Sequence, residues 1–348
     1  MEMAVRKLRG SGEVNIGLIG CGSIVEGCHL PALLSIPGVT IKWVCDSSPD
    51  RARRIARHWH AGQGFSHLSD CSDVDAVLVA TPVGTRQLIL DETTKRGWHA
   101  LCEKPFATSV SKHREMLESA GRNGVTLGAG YMRRYYWAVE QARNMVRSKV
   151  LGPLIEVVAS ESGNLDRTGL DQSSYRNNAQ ASGGGVLMET GCHLLDEIMF
   201  VSDAKRADVE ACEQQVWDDY EVETVASGFI TLRSGEQVPL QFAVSGVRPV
   251  FHGIAFRCES GEIHLRPDPA KGLEVFIGQA QPPQLELPHP HPAQNHIVTP
   301  FRREWLHFLD ALRTTGEWDA EQETGLLTTD VIMQCSEMAK ACYLEVQQ

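Results

Sequence analysis

Short apolar runs alternate with amphipathic stretches through roughly the first 130 residues. Val14 to Ile19 is rich in β-branched residues and stops at Gly20-Cys21-Gly22, after which Ile24 to Leu34 has helical character and breaks at Pro37-Gly38. Thr40 to Cys45 ends at Asp46, and Pro49 opens a basic helix over Arg51 to Trp59. Val74 to Ala80 closes on Thr81-Pro82, and Leu88 to Lys95 follows as a helix. Trp98 to Cys102 runs into Glu103-Lys104-Pro105, then a helix over Val110 to Asn123 and a strand over Val125 to Ala129 complete the series. Strands separated by helices of this length predict a parallel sheet with right-handed crossovers. Its strands read as unbroken apolar runs because both faces are covered. Gly20, Asp46, Thr81 and Glu103 all fall at carboxyl ends of these strands, where doubly wound sheets bind ligands.

The second half changes period. Ile155 to Ser162, Val209 to Val216, Thr224 to Leu232, Gln237 to Val244, Ile254 to Cys258, Glu262 to Leu265 and Leu273 to Ile277 read as strands, with Gly235, Gly261 and Gly272 at turns. Consecutive strands without helices between them predict an antiparallel sheet. Gln279 to Pro300, rich in Pro, Gln and His, reads as a long surface loop, and two helices close the chain. In the first, Trp305, Phe308, Leu309 and Leu312 fall at i, i+3, i+4 and i+7 and make one buried face.

Composition narrows the function class. A chain of 348 residues is long enough for two cores. The 33 Lys+Arg against 44 Asp+Glu give a net charge of −11, which repels phosphate backbones and anionic membranes and speaks against nucleic acid or lipid as partners. No apolar run approaches the roughly 20 residues that cross a bilayer. Met1 to Glu13 is polar and reads as a loose leader rather than a secretion signal. The 10 cysteines are scattered without a C-x-x-C pair, so they read as small hydrophobes of a reduced, cytoplasmic protein. His289, His291 and His296 lack ligand spacing, and no metal is expected.

Gly20-Cys21-Gly22-Ser23-Ile24-Val25 carries the first two glycines of G-x-G-x-x-G, with Val25 in the third place. The first allows a tight turn and the second lets a pyrophosphate approach the backbone and the helix N-terminus. Asp46 ends the next strand at the distance expected for a ribose ligand, or else caps the helix after it. Such an acid accepts from a 2′-hydroxyl and repels a 2′-phosphate, which favours NAD over NADP. Ser47, Ser48 and Arg51 leave NADP open.

These residues, with His29, Ala80-Thr81-Pro82, Cys102-Glu103-Lys104-Pro105, Gly130-Tyr131-Met132-Arg133-Arg134-Tyr135 and the block Gly183 to Asp196, resemble the Gfo/Idh/MocA family of sugar and cyclitol oxidoreductases from Asn15 to about Ala341. The resemblance implies an α/β protein: an NAD(P)-binding Rossmann domain over 1–131, and over 132–348 an α+β domain with a large open, mostly antiparallel sheet for substrate binding and oligomerisation. Its terminal helices would pack back on the first domain. Homodimers or homotetramers packing through that sheet are also implied, since an uncovered face would expose apolar surface.

Cofactor contacts are then expected from Gly20, Gly22, Ser23, Ile24, Asp46, Ser47, Thr81, Pro82, Glu103 and Lys104. Oxidising a carbinol needs a base for the hydroxyl proton as hydride leaves to the nicotinamide. By resemblance Lys104 sits at the junction of nicotinamide and substrate, where it stabilises a developing alkoxide. His193 is the proton-transfer residue and a substrate contact, and Glu189, four residues before it, shares a helix face with it. The family usually has Asp where this chain has Glu189, so the carboxylate either keeps its catalytic role or leaves it. Asp196 reads as a brace. One of Arg133 and Arg134 is expected on substrate, Arg133 being preferred, and the other in a salt bridge. Arg86 stands where many members have His, which alters either the substrate pocket or only a helix surface. The resemblance implies an NAD(P)-dependent dehydrogenase or reductase acting on a CH–OH group of a sugar- or cyclitol-like substrate. A redox-neutral glycoside-cleaving enzyme with bound NAD and a non-catalytic nucleotide- or sugar-binding sensor are the alternatives.

Overall fold

The computed structural model describes residues 12–162, 182–250, 253–266, 272–278, 285–287, 297–314 and 321–343. The chain divides into two compact units. Unit 1 comprises Met1–Ala107, Ser111–Met132 and His296–Gln322, and unit 2 comprises Thr108–Val110, Arg133–Asn295 and Glu323–Gln348. Among the described residues no helix is long and apolar enough to cross a membrane.

Unit 1 is built on a six-stranded parallel sheet, β1 (Val14–Ile19), β2 (Val39–Cys45), β3 (Gln63–Phe65), β4 (Ala76–Val79), β5 (His99–Glu103) and β6 (Leu127–Gly130), in the order β3-β2-β1-β4-β5-β6. The order reverses between β1 and β4, the point where doubly wound sheets open a crevice. β4 and β5 are buried at every position, which explains their unbroken apolar runs. β3 escaped the sequence reading because it is three residues long, with Gln63 exposed and Gly64 and Phe65 half-buried, so it carries no apolar signature. The stretch read as a helix from Ile24 is wound in two ways, as a π-helix over Val25–His29 and then α1 over Leu30–Leu34. Val25, in the place of the third glycine, is fully buried there. α2 (Pro49–His58), α3 (Arg86–Lys95) and α4 (Val110–Arg122) supply three further crossovers, and β3 passes to β4 through a single 3-10 turn, Leu68–Asp70.

The helix Val298–Arg313, distant in sequence, belongs to this unit. Its face of Trp305, Phe308, Leu309 and Leu312 is buried as its spacing predicts, each side chain 0–1% exposed. Phe301 and Trp305 meet the His29 ring edge-on at centroid distances of 4.7 and 6.1 Å. Burial of such a side chain is worth about 1.5–3 kcal/mol.

Unit 2 holds a nine-stranded sheet in the order β14-β13-β12-β11-β7-β10-β9-β8-β15. Its strands are β7 (Leu154–Ser162), β8 (Ala204–Trp217), β9 (Tyr220–Leu232), β10 (Gln237–Ser245), β11 (Gly253–Cys258), β12 (Gly261–Leu265), β13 (Leu273–Ile277), β14 (Leu285–Leu287) and β15 (Lys340–Tyr343). The pairings are antiparallel except β7 with β10 and β8 with β15. β8 and β9 meet at Asp218 and Asp219, at φ 47° and 64°, a tight turn whose twist suits a two-residue hairpin, and β8 also starts earlier than predicted, at Ala204. β14 lies inside the predicted loop and Val298 already starts a helix, while the three loop histidines and the rest of 279–297, apart from Ile297, lie outside the described residues. α5 (Trp137–Arg147) was not anticipated, although Ala138, Val139, Ala142 and Val146 make a buried helical stripe. It packs with the helix Cys192–Ser202. Apart from Cys342, the cysteines are buried, consistent with thiols used as small hydrophobes.

Gly17 in β1 leaves room for the Trp43 indole, since a Cβ there would fall inside the ring. Gly17→Ala is expected to lower stability by about 1–3 kcal/mol through overpacking. Urea denaturation checks this, and an unchanged midpoint would mean that Trp43 has space to move.

Candidate functional site

In unit 1 the expected cofactor residues gather at the carboxyl ends of β1, β2, β4 and β5. Gly20 has φ +89°, and a Cβ on it would sit 2.7 Å from the Ala80 carbonyl oxygen, so β1 turns against the end of β4 only because this residue is glycine. Gly22 is different: a Cβ there would meet nothing within 4 Å, so the turn borders open space. Ser23 and Ile24 are exposed beside it.

Asp46 is 7% exposed and ties the turn together. Its Oδ2 accepts from the Cys21 N–H at 2.8 Å, and its Oδ1 accepts from the Ser48 N–H at 2.8 Å. Arg51 Nη1 approaches Oδ1 at 3.3 Å. The N-cap of α2 is Ser48, whose hydroxyl accepts from the Arg51 N–H at 3.4 Å, so Asp46 is not the cap and instead joins the glycine turn to the start of α2. Ser47 is exposed next to it. Burial pushes the Cys21 thiol up to about 12, so it stays neutral in the turn.

Thr81 and Pro82 follow β4 and are half-buried. Thr81 Oγ1 is buried without a hydrogen-bond partner among the described residues. A buried hydroxyl of this kind is left able to bond a ligand. The open space at Gly22, the acidic end of β2 and this hydroxyl fit a bound dinucleotide.

Glu103 closes β5 and is 5% exposed. Its Oε1 lies 2.9 Å from His29 Nε2, and its Oε2 accepts from the Lys104 N–H at 3.0 Å. Trp305 Nε1 donates to His29 Nδ1 at 3.0 Å. An indole N–H can only donate, so Nδ1 must accept and Nε2 carries the proton given to Glu103. Burial alone would raise the Glu103 carboxyl, but the hydrogen bond from His29 and the charges around it hold it below the ordinary value. Lys104 is half-buried at the end of this chain of contacts.

Arg86 does not lie on the helix surface. It is 4% exposed, and its Nε donates to the Thr81 carbonyl at 2.9 Å. Nη1 donates to the carbonyls of Glu103 and Pro105, and Nη2 to that of Lys104 at 3.4 Å.

In unit 2 the block from Gly183 to Asp196 opens a helix that is π-wound over Leu187–Gly191 and α over Cys192–Ser202. π segments inside α-helices recur at functional sites. Gly185 lies so close to β9 that a Cβ would fall on the Glu221 carbonyl oxygen. Glu221 Oε2 accepts from the Leu187 N–H at 2.8 Å and so caps the helix start. Glu189 Oε2 accepts from the Tyr220 hydroxyl at 3.2 Å, and both Glu189 and His193 are half-buried. The segment Asn164 to Asn178, expected to carry substrate contacts, lies outside the described residues.

Both arginines of the M-R-R-Y stretch are committed to carboxylates. Arg133 donates to Glu161 at 2.7 and 3.0 Å and to Glu197 at 3.1 Å. Arg134 pairs in bidentate fashion with Asp196 at 2.8 and 2.5 Å, with both side chains at most 2% exposed. The substrate contact expected of Arg133 thus falls on a guanidinium whose two terminal nitrogens already hold acids. Glu161, on β7, and the adjacent pair Tyr220 and Glu221, on β9, were missed because they lie far in sequence from the residues they meet; Glu197 was missed although it follows Asp196 on the same helix and stands four residues after His193.

Burial pushes the Glu197 carboxyl up to about 7 in spite of Arg133, and burial likewise takes Glu221 to about 7 against its hydrogen bonds from Leu187 and Thr224. Both begin from 4.5, so between about 4.5 and 7 the folded chain holds protons that the unfolded chain has released. The stability tied to these groups is present below that window and is lost as pH rises through it. Thermal melts across the window are therefore expected to show a flatter pH slope in Glu197→Gln than in the parent. Equal slopes would mean that Glu197 is ionised throughout.

Residues 14–131 match the family described as "Oxidoreductase family, NAD-binding Rossmann fold", and residues 139–264 match the GFO/IDH/MocA C-terminal domain. The rhizopine catabolism protein MocA of Rhizobium meliloti is 29% identical over 193 residues, 54% of this chain and 56% of that protein. The D-glucoside 3-dehydrogenase of Escherichia coli (strain K12) is 26% identical over 200 residues, 55% of this chain and 54% of that protein. The chain thus spans about half the length of these curated relatives. A 3-ketoreductase from Actinomadura kijaniata, solved with NADP and TDP-benzene, shares the fold with a TM-score of 0.81 at 21% identity, covering 96% of this chain and 100% of that one. The chain belongs to the Gfo/Idh/MocA family, and its parallel sheet is that family's NAD-binding Rossmann fold.

Proposed function

We propose that this chain is an NAD(P)-dependent oxidoreductase that moves a hydride to or from a carbinol carbon of a sugar- or cyclitol-like substrate. The observation that carries the reading is the strand-end array of unit 1. There a glycine turn tied to Asp46, an unpartnered Thr81 hydroxyl and Lys104 held by Glu103 share one edge of the sheet. The names of the relatives, a D-glucoside 3-dehydrogenase and a 3-ketoreductase bound to NADP, support the same chemistry.

A bound nicotinamide would supply or accept the hydride. Gly20, Gly22, Ser23 and Ile24 hold the phosphates, and Asp46 and Ser47 hold the adenosine ribose. Thr81, Pro82 and Glu103 line the strand ends on the way to Lys104. The Lys104 ammonium stabilises the negative charge that grows on the substrate oxygen as hydride moves. His193 carries a proton to or from that oxygen, as an imidazole can near neutral pH. Glu189, kept in place by Tyr220, orients His193, which gives the longer acid a role in catalysis. Arg133 contributes through Glu161 and Glu197 and fixes the wall of the substrate domain. NAD is the preferred coenzyme because Asp46 opposes a 2′-phosphate, while Arg51 beside it keeps NADP within reach.

Residues 1–131 then bind the dinucleotide and 132–348 bind the sugar. Val158, Ser160, Val225, Ser227, Gln241 and Ala243 line a trough of about 1200 Å³ on one face of the nine-stranded sheet. That face is where we place the contact of a homodimer or homotetramer, in a cytoplasmic enzyme.

The test is a screen of cyclitols, aldoses and amino sugars with NAD and NADP, read at the absorbance of the reduced coenzyme. With the substrate so found, Lys104→Ala is expected to lower kcat by about 10²–10⁴-fold while the dissociation constant for NAD stays nearly the same. Near-normal kcat would remove Lys104 from the chemistry. Asp46→Ala is expected to narrow the ratio of NAD to NADP affinity by calorimetry, and a ratio that does not move would show that coenzyme choice is made elsewhere.

A further inference from the structure

Arg86 is the one residue whose sequence reading stayed open between a pocket and a surface, and its burial takes it off the surface. It is the first residue of α3, where the helix dipole presents its positive end, so a cation there works against the local field by about 0.3–1 kcal/mol. It is also 4% exposed, and a buried guanidinium is costly unless its donors are satisfied. A position that breaks two local rules keeps its residue for a reason outside the helix.

The reason lies in what the fork grips. The carbonyls of Glu103, Lys104 and Pro105 are consecutive, and all three accept from the two terminal nitrogens of this one side chain. Nε reaches back to the carbonyl of Thr81 at the end of β4. Peptide groups on both sides of the Lys104 Cα are therefore pinned to a single planar cation. That sets the direction in which the Lys104 side chain leaves the backbone, and it ties the end of β5 to the end of β4. On the opposite side Glu103 Oε2 takes the Lys104 N–H at 3.0 Å, so donors and acceptors of the Glu103–Pro105 turn are held from two directions. Only an arginine offers five donors in a rigid plane; lysine has one nitrogen, and a histidine at most two.

We propose that Arg86 is a positioning residue that aims Lys104, acting by gripping the backbone of the turn rather than by touching substrate. The proposal rests on the reading of Lys104 as the group that meets the reacting oxygen. Displacing a reacting group by about 1 Å can cost on the order of 10²-fold in rate.

The experiment compares the parent with Arg86→Lys and Arg86→His in the full chain, each checked first by its melting temperature and by its NAD dissociation constant. Two readouts follow. One is the rate at which Lys104 is acylated by an amine-specific reagent in the coenzyme-free protein, measured by peptide mass spectrometry with the other lysines as internal controls. The other is the split between kcat and KM. Both variants are expected to fold and bind NAD, to change the Lys104 acylation rate selectively, and to lose about 10²-fold in kcat with little change in KM. In Arg86→Ala, added guanidinium ion is expected to restore part of the lost rate. If a variant is less stable yet Lys104 acylates as in the parent and kcat per folded molecule is unchanged, Arg86 only holds the fold together and the proposal falls. Should Arg86→Ala not fold, Arg86→Lys alone decides by the same two readouts. A parent chain that binds no nicotinamide coenzyme would sink the proposed function, whereas the acylation comparison would still give its answer on Arg86.

Discussion

An ionised carboxylate in a protein interior has to be met by donors, or it takes up a proton. Glu103 is such a group, and the way its need is met organises unit 1. One oxygen takes the proton of His29, whose ring is turned the right way because the Trp305 N–H occupies its other nitrogen. The second oxygen takes the backbone N–H of Lys104. The chain of contacts joins the end of β5, the π turn after the glycines and a helix that lies 276 residues further along than His29. Arg86, on the far side, gathers the carbonyls of the same turn. Lys104 stands where these meet. Its place is therefore set by buried electrostatics and only secondarily by the strand it follows.

Unit 2 meets the same problem with charges of the opposite balance. Two adjacent arginines take three acids among them, Arg134 closing a buried pair with Asp196 and Arg133 shared between Glu161 and Glu197. One cation facing two carboxylates leaves an excess of negative charge, which is why burial can hold a proton on Glu197 up to about 7. The helix that carries Glu189 and His193 starts under a second buried acid, Glu221, and next to a glycine that the β9 backbone leaves no room to replace. In both units a π segment sits beside the residues of interest, at Val25–His29 and Leu187–Gly191.

The order of strands and helices in unit 1 was open to reading from the chain alone, because β-branched runs, glycine turns and the apolar face of Trp305, Phe308, Leu309 and Leu312 are local signals. So were the places of Gly20, Asp46, Thr81 and Lys104 at strand ends, since each is adjacent in sequence to the run it terminates. Composition and period likewise separated a parallel half from an antiparallel one. Partners were another matter. That Asp46 ties down the glycine turn without capping the helix after it, that Arg86 faces backbone and not solvent, that Tyr220 holds Glu189 and Glu161 holds Arg133, all depend on groups brought together from distant segments. Periodicity reports which face of an element is buried. Which charged or polar atom waits on that face is decided only when separate elements pack, for hydrogen bonds and ion pairs act over about 3–4 Å and carry no trace in spacing along the chain.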